Sequence, residues 1–175
     1  MFSTPELCLS QFNVEPGMVV CDLGCGIGAY TLELSRRVGS TGKVLAVDIQ
    51  KELLIRLEST CKEQNISNVQ IIWDDMDDEN GVAIQDASID RVVIANLLFQ
   101  LEDIQKFATE VKRILKKTGH VLIVEWSDSF NGLGPAQNQI VKPERAQEIF
   151  EKVGLSVVKN ITAGDHHYGF VLQLK

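Results

Sequence analysis

Three glycines at alternate positions, Gly24, Gly26 and Gly28, stand behind the apolar run Val19-Val20-Cys21-Asp22-Leu23 and ahead of Ala29-Tyr30-Thr31-Leu32-Glu33-Leu34. The glycines let the backbone turn tightly with no Cβ in the way, so a ligand can approach the main chain where the next helix begins. The spacing is G-x-G-x-G. Ala29 occupies the place of the third glycine of the dinucleotide fingerprint, and no Gly-Lys-Ser/Thr follows, which excludes a phosphate loop. Acids accompany the apolar runs: Asp22 at the first, Asp48 at the end of the second, and Asp75 within Trp73-Asp74-Asp75-Met76-Asp77-Asp78-Glu79 after the third. A carboxylate at a strand end can accept hydrogen bonds from both hydroxyls of a ribose. The other groups able to do chemistry are His166 and His167 in Asp165-His166-His167-Tyr168-Gly169. Imidazole titrates near neutrality, although histidines at a hairpin are more often ordinary turn residues.

The elements that must carry these groups alternate between strand-like and helix-like stretches, the pattern of an α/β sandwich with a mostly parallel sheet. Strands are expected at Val19–Leu23, Lys43–Asp48, Val69–Trp73, Ile89–Ala95, His120–Trp126, Leu155–Ile161 and Tyr168–Leu174. Helices are expected at Thr4–Phe12, Ala29–Val38, Glu52–Gln64, Leu101–Leu115 and Pro143–Val153. The fourth has the clearest period, with Leu101, Ile104, Phe107, Ala108, Val111, Ile114 and Leu115 on one side and charges opposite. Only Thr162-Ala163-Gly164-Asp165 separates the last two strands, so they form an antiparallel hairpin rather than a crossover.

At 175 residues the chain reads as one domain, residues 1–175. Its net charge of −7 and the lack of a basic block argue against nucleic acid as a partner. No run reaches the roughly eighteen apolar residues of a membrane span, and the start, Met1 to Glu6, lacks the charged and apolar regions of a signal peptide. Cys8, Cys21, Cys25 and Cys61 show no metal-ligand spacing and read as free thiols, so a cytoplasmic location is expected. A thiol-based metalloid site at Cys25 or Cys61 is the sharper alternative.

The string Asp22-Leu23-Gly24-Cys25-Gly26-Ile27-Gly28 resembles the first motif of class I S-adenosylmethionine-dependent methyltransferases. Five parallel units closed by a hairpin are similar to that family's Rossmann-like, seven-strand sheet, of order 3-2-1-4-5-7-6 with strand 7 antiparallel. The likeness covers essentially the whole chain and is closest to small members, of the type 11 kind, that carry no added substrate domain. It implies S-adenosylmethionine as cofactor and methyl transfer to a small-molecule acceptor as the activity.

The resemblance also implies roles. Gly24, Cys25, Gly26 and Gly28 form the loop that passes the amino-acid part of the cofactor, and Asp22 answers its ammonium. Asp48 holds the ribose, with Ile49 or Gln50 against the adenine. Asp75 accepts from the adenine amino group and Met76 offers its amide. Asn96 ends strand 4 beside the cofactor. Metal-dependent members need an acid pair near the end of strand 4, where this chain has Ala95-Asn96, so no metal is expected. Asn96-Leu97-Leu98-Phe99-Gln100 departs from the Asn/Asp-Pro-Pro-Tyr/Phe of enzymes that methylate base amines. Gln100 stands where many small-molecule enzymes show a histidine, and glutamine cannot act as a general base. The loop Trp126 to Pro135 is expected to cover the substrate face, and His166 or His167 to contact the acceptor as catalytic groups. The alternative is a cofactor-binding module that works with a partner subunit; a homodimer is equally open.

Overall fold

Val19–Leu23 (β1) lies inside a seven-stranded sheet, and four of its five residues are buried, as befits a strand covered on both faces. The computed structural model describes residues 3–78, 81–130 and 132–175; Glu79 of the acidic run, Asn131 of the strand-5 loop, and Met1 and Phe2 lie outside the described residues. β1 is flanked in parallel by Lys43–Asp48 (β2) and Ile89–Ala95 (β4), and β2 by Val69–Trp73 (β3). Leu115–Trp126 (β5) runs parallel to β4. His167–Leu174 (β7) is antiparallel to both β5 and Leu155–Ile161 (β6). The order is 3-2-1-4-5-7-6, as expected.

Strand alternation divides the core between two faces. On one, Cys8 and Leu9 of Pro5–Leu9 (α1) and Leu34 and Val38 of Ala29–Val38 (α2) pack on Val20, Val44, Val93 and Leu122. Leu54, Leu57 and Cys61 of Lys51–Glu63 (α3) cover Ala46. The other face buries Phe107, Val111 and Ile114 of Ile104–Ile114 (α4) and Ala146, Ile149 and Phe150 of Pro143–Lys152 (α5) against Leu23, Ile94 and Ile123.

Several boundaries differ from expectation, those around α4 for physical reasons. α4 starts at Ile104, not Leu101, because the Asp103 carboxylate caps it by accepting from the Lys106 amide at 3.0 Å. Leu101 instead closes a short 3₁₀ turn, Leu98–Gln100. α4 ends at Ile114 and β5 begins at once, since Leu115 pairs with Ile89; a register shift between Ile89 and Arg91 accommodates the early start. α1 is shorter than expected, but Thr4 caps it, its hydroxyl accepting from the Leu7 amide at 3.2 Å.

Candidate active site

The carboxyl ends of β1 to β4 enclose a cleft of about 610 Å³, bordered by Gly24, Gly26, Asp48, Ile49, Asp75 and Asn96 among others. Open α/β sheets place ligands at this edge, where the strand order switches direction. The three glycines of the loop do three different things. At Gly24 (φ +73°) a Cβ would lie 2.8 Å from the Leu97 side chain, so the loop is pressed against the segment after β4. At Gly28 (φ +90°) it would lie 2.3 Å from Leu57, so this glycine lets α2 and α3 pack. Only Gly26 (φ +54°) faces open space, and it borders the cleft.

Asp48 organises the glycine-loop side of the cleft. One carboxylate oxygen accepts from the Gly26 amide at 2.8 Å and the other from the Gln50 amide at 2.8 Å. Each oxygen keeps a second lone pair, so the group can still accept from a diol. Ile49 is half-exposed on the cleft wall, and its carbonyl accepts from the Trp73 indole at 2.9 Å. Asp75 closes a local turn by accepting from the Asp77 amide at 2.9 Å. Met76 is buried, its side chain part of the core while it borders the cleft.

Asp22 and Cys25 are placed differently. The Asp22 carboxyl is 2 % exposed, accepts from the Thr31 hydroxyl at 2.6 Å, and is pushed up to about 6 by burial. It sits beneath the loop rather than on the cleft wall. Cys25 turns towards Leu54, Leu57 and Cys61, and burial raises its thiol well out of the range of a thiolate at neutral pH. All four cysteines are buried and free. Among the described residues no group of three or more His, Cys, Asp or Glu side chains gathers to hold a metal.

On the far side of the cleft, Asn96 takes a left-handed backbone (φ +54°), and its side-chain oxygen is buried with no hydrogen-bond partner. A buried acceptor without a donor costs about 1–3 kcal/mol, which a ligand N–H or O–H can recover. The next two amides, of Leu97 and Leu98, donate to one oxygen of Glu125 at 2.5 and 2.6 Å. Glu125 is 2 % exposed, and burial pushes its carboxyl up to about 7. The sequence reading missed this residue. Its signal was an acid closing the apolar strand Val121-Leu122-Ile123-Val124.

His166 and His167 lie at the carboxyl end of β5, where Trp126 pairs with His167, but neither borders the cleft. His166 faces Asp128, with Nδ1 2.9 and 3.1 Å from the two carboxylate oxygens, and stacks on Phe130 at 4.1 Å. His167 is 8 % exposed, lies 4.2 Å from the Trp126 ring, and neither of its nitrogens has a partner; burial lowers its basicity. In the loop after β5, Gly134 lies against Trp126 with no room for a Cβ, and none of the loop's described residues borders the cleft.

A cleft with open space at Gly26, spare lone pairs on Asp48 and an unpartnered Asn96 oxygen fits a nucleoside with a polar tail, as S-adenosylmethionine is. The comparisons agree. A family model described as a methyltransferase domain matches residues 14–167. The solved structure of an S-adenosylmethionine-dependent methyltransferase from Aquifex aeolicus superposes with a TM-score of 0.90 at 26% identity, covering 99% of this chain and 91% of that one. A demethylmenaquinone methyltransferase of Staphylococcus aureus is 32% identical over 120 residues, 68% of this chain and 47% of that protein. A ubiquinone/menaquinone biosynthesis C-methyltransferase of Idiomarina loihiensis is 33% identical over 116 residues, 66% of this chain and 45% of that protein. The chain thus spans about half the length of these curated relatives. With the sheet order and the motif Asp22 to Gly28, these matches place the chain in the class I S-adenosylmethionine-dependent methyltransferases.

Proposed function

We propose that this chain methylates a small cyclic acceptor of the quinone or hydroquinone kind. The observation that carries the reading is the cleft itself, whose donor end (Gly26, Asp48, Asp75) continues past Asn96 into a mixed wall of Leu97, Gln100 and Leu101. An apolar wall with a few polar groups suits a flat ring bearing oxygens. The similarity to quinone-biosynthesis methyltransferases supports the same class.

In this reading Gly24, Gly26 and the Gly28 turn leave room for the methionyl tail, and Asp48 holds the ribose between the Gly26 and Gln50 amides. Asp75 and the Met76 amide meet the adenine, with Ile49 against its face. Asp22 acts on the tail from below, through the loop. The bound cofactor supplies a sulfonium-activated methyl group. The protein's own contribution is to align two reactants, which alone can account for much of the rate. A base is needed only for an acceptor still protonated at working pH. His166, held by Asp128, and His167 are the groups proposed for that role, for an acceptor that extends beyond the cleft to the carboxyl end of β5, where both lie.

The test is incubation with methyl-labelled cofactor and short-chain demethylated naphthoquinols and benzoquinols, read by mass spectrometry. Label in the ring product is expected. Binding of the demethylated cofactor by calorimetry with no transfer to any ring acceptor overturns the proposed class and favours a binding module that needs a partner.

A further inference from the structure

A second cleft, of about 430 Å³, opens at the opposite edge of the sheet, at the amino ends of β4 and β5. Arg91 pairs in register with His120, and His120 with Gln173 of β7, so three neighbouring strands present these side chains to the α1 face. Phe12 and Asn13, just after α1, and Lys159 of β6 complete the wall. The lining contains no Asp or Glu, although the chain as a whole carries a charge of −7.

Among the described residues no carboxylate forms a direct ion pair with the charges in this cleft. Arg91 is only 8 % exposed, and its guanidinium donates from Nε to the Asn13 carbonyl at 2.6 Å and from Nη1 to the Asp90 carbonyl at 2.7 Å. It makes no ion pair among the described residues. The carboxylates of Asp90 and Glu15 act on it through space, but both are engaged elsewhere. Asp90 accepts from Lys116 at 2.8 Å and from the Val19 amide at 2.9 Å, and Glu15 from the Asn13 side chain at 2.9 Å. Lys159 donates to the Gln11 carbonyl at 2.7 Å. The Nδ1 of His120 is buried, and no group reaches it in hydrogen-bonding geometry, although the Thr118 main chain and the Gln173 amide lie beside the ring. Buried charges are ordinarily paired, and a guanidinium has five N–H donors, of which two are accounted for.

We propose that Arg91, His120 and Lys159 form a binding site for a small oxyanion, a phosphate group, at the edge of the sheet remote from the methyl donor. The phosphate lies in the cleft, with the His120 ring on the wall beside it, and accepts charge-assisted hydrogen bonds from the remaining Arg91 N–H groups and from the Lys159 ammonium. Phosphate chemistry has two sources, a soluble phosphate and a lipid headgroup. The exposed Val158 beside Lys159 gives the second a place to rest.

The experiment follows the three histidines of the 175-residue chain by ¹⁵N–¹H spectroscopy while inorganic phosphate is titrated at constant ionic strength. His120→Gln assigns the His120 ring. A saturable shift of that ring is expected, with affinity about tenfold weaker in Lys159→Gln, the loss of one charge-assisted bond. Arg91→Gln weakens binding further where its melt shows that it still folds; Lys159→Gln carries the test if it does not. In a second arm, vesicles of phosphatidylcholine with or without phosphatidic acid are sedimented with the protein. Binding that needs phosphatidic acid and is lost in Lys159→Gln assigns the phosphate to a lipid. A shift reproduced by chloride, or binding equal in Lys159→Gln and the parent, overturns the proposal. So does no response in either arm.

Discussion

The glycine-loop side of the main cleft and the region at the carboxyl end of β5, proposed above as the donor and acceptor ends, are built by different means. At the donor end, the groups that shape the site are main-chain amides and glycines, and their partners lie close in sequence: Asp48 bonds Gln50 two residues on and reaches Gly26 across one strand pair. At the acceptor end, geometry depends on side chains meeting over long separations. Glu125 holds Leu97 and Leu98, Asp128 meets His166, and the Tyr168 hydroxyl donates to the Val141 carbonyl at 2.8 Å. A backbone cradle is set by a short motif and serves any member that binds the same donor. A side-chain scaffold can be altered one contact at a time, which suits the half of the site that must differ with the acceptor.

The largest effects are expected inside the donor loop, where they separate packing from binding. Gly28→Ala puts a Cβ into fully buried Leu57 at a left-handed φ, and should cost about 2–4 kcal/mol of stability in a denaturant melt. Gly26→Ala has open space around it and only the backbone strain, about 1 kcal/mol, yet its methyl enters the cleft. Its loss should appear in calorimetric affinity for the demethylated cofactor, not in the melt. Equal stability losses in the two variants would erase the distinction. Next comes Asp48→Ala. It removes the acceptor of two amides as well as the proposed ribose contact, and should weaken cofactor affinity by about a hundredfold, two charge-assisted bonds' worth. Unchanged affinity would show that the cradle holds itself without the carboxylate.

The same difference explains what could be read from the sequence. The strands and the closing hairpin followed from alternation and the short Thr162–Asp165 turn, and the glycine loop from its spacing, all local signals; the strand order was implied by the resemblance to a known family. The acceptor end was legible only as residue types. His166 and His167 are neighbours in sequence, but strand alternation sends one to Asp128 and Phe130 and buries the other against Trp126. Glu125 showed only as an acid closing an apolar strand, because its role exists only when β5 lies beside the loop that follows β4. Helix 4 was overextended at its start for a similar reason: the apolar period continues through Leu101, but the cap at Asp103 outweighs it.

Glu125 offers a pH test of the acceptor-end scaffold. Its carboxyl is raised to about 7 in the folded chain, so between its unfolded value near 4.5 and about 7 the folded state holds a proton that the unfolded state has released. Stability therefore falls as pH rises through that window, by up to about 3 kcal/mol, and is flat above it. Asp22, raised to about 6, contributes a slope of the same sign, so the informative quantity is the difference between the parent and Glu125→Gln. The glutamine carbonyl can still accept both amides, and the variant should lose only the Glu125 part of the slope. Identical pH profiles would mean that Glu125 does not titrate in the fold.

The smallest effect is expected at Asp128, and it bears most directly on whether the two ends are separable. Its side chain is half-exposed, and an ion pair of that kind contributes at most about 1 kcal/mol, so Asp128→Asn should melt close to the parent. Cofactor affinity should change less than about twofold, since none of the described residues of the loop after β5 borders the cleft. If His166 meets the acceptor, turnover falls while affinity for the donor does not, and the separation of function matches the separation of structure. A loss of donor affinity as large as that of Asp48→Ala would instead mean that the β5 loop and the β6–β7 hairpin brace the donor cradle. The contrast between the two ends would then be one of sequence distance alone, not of function.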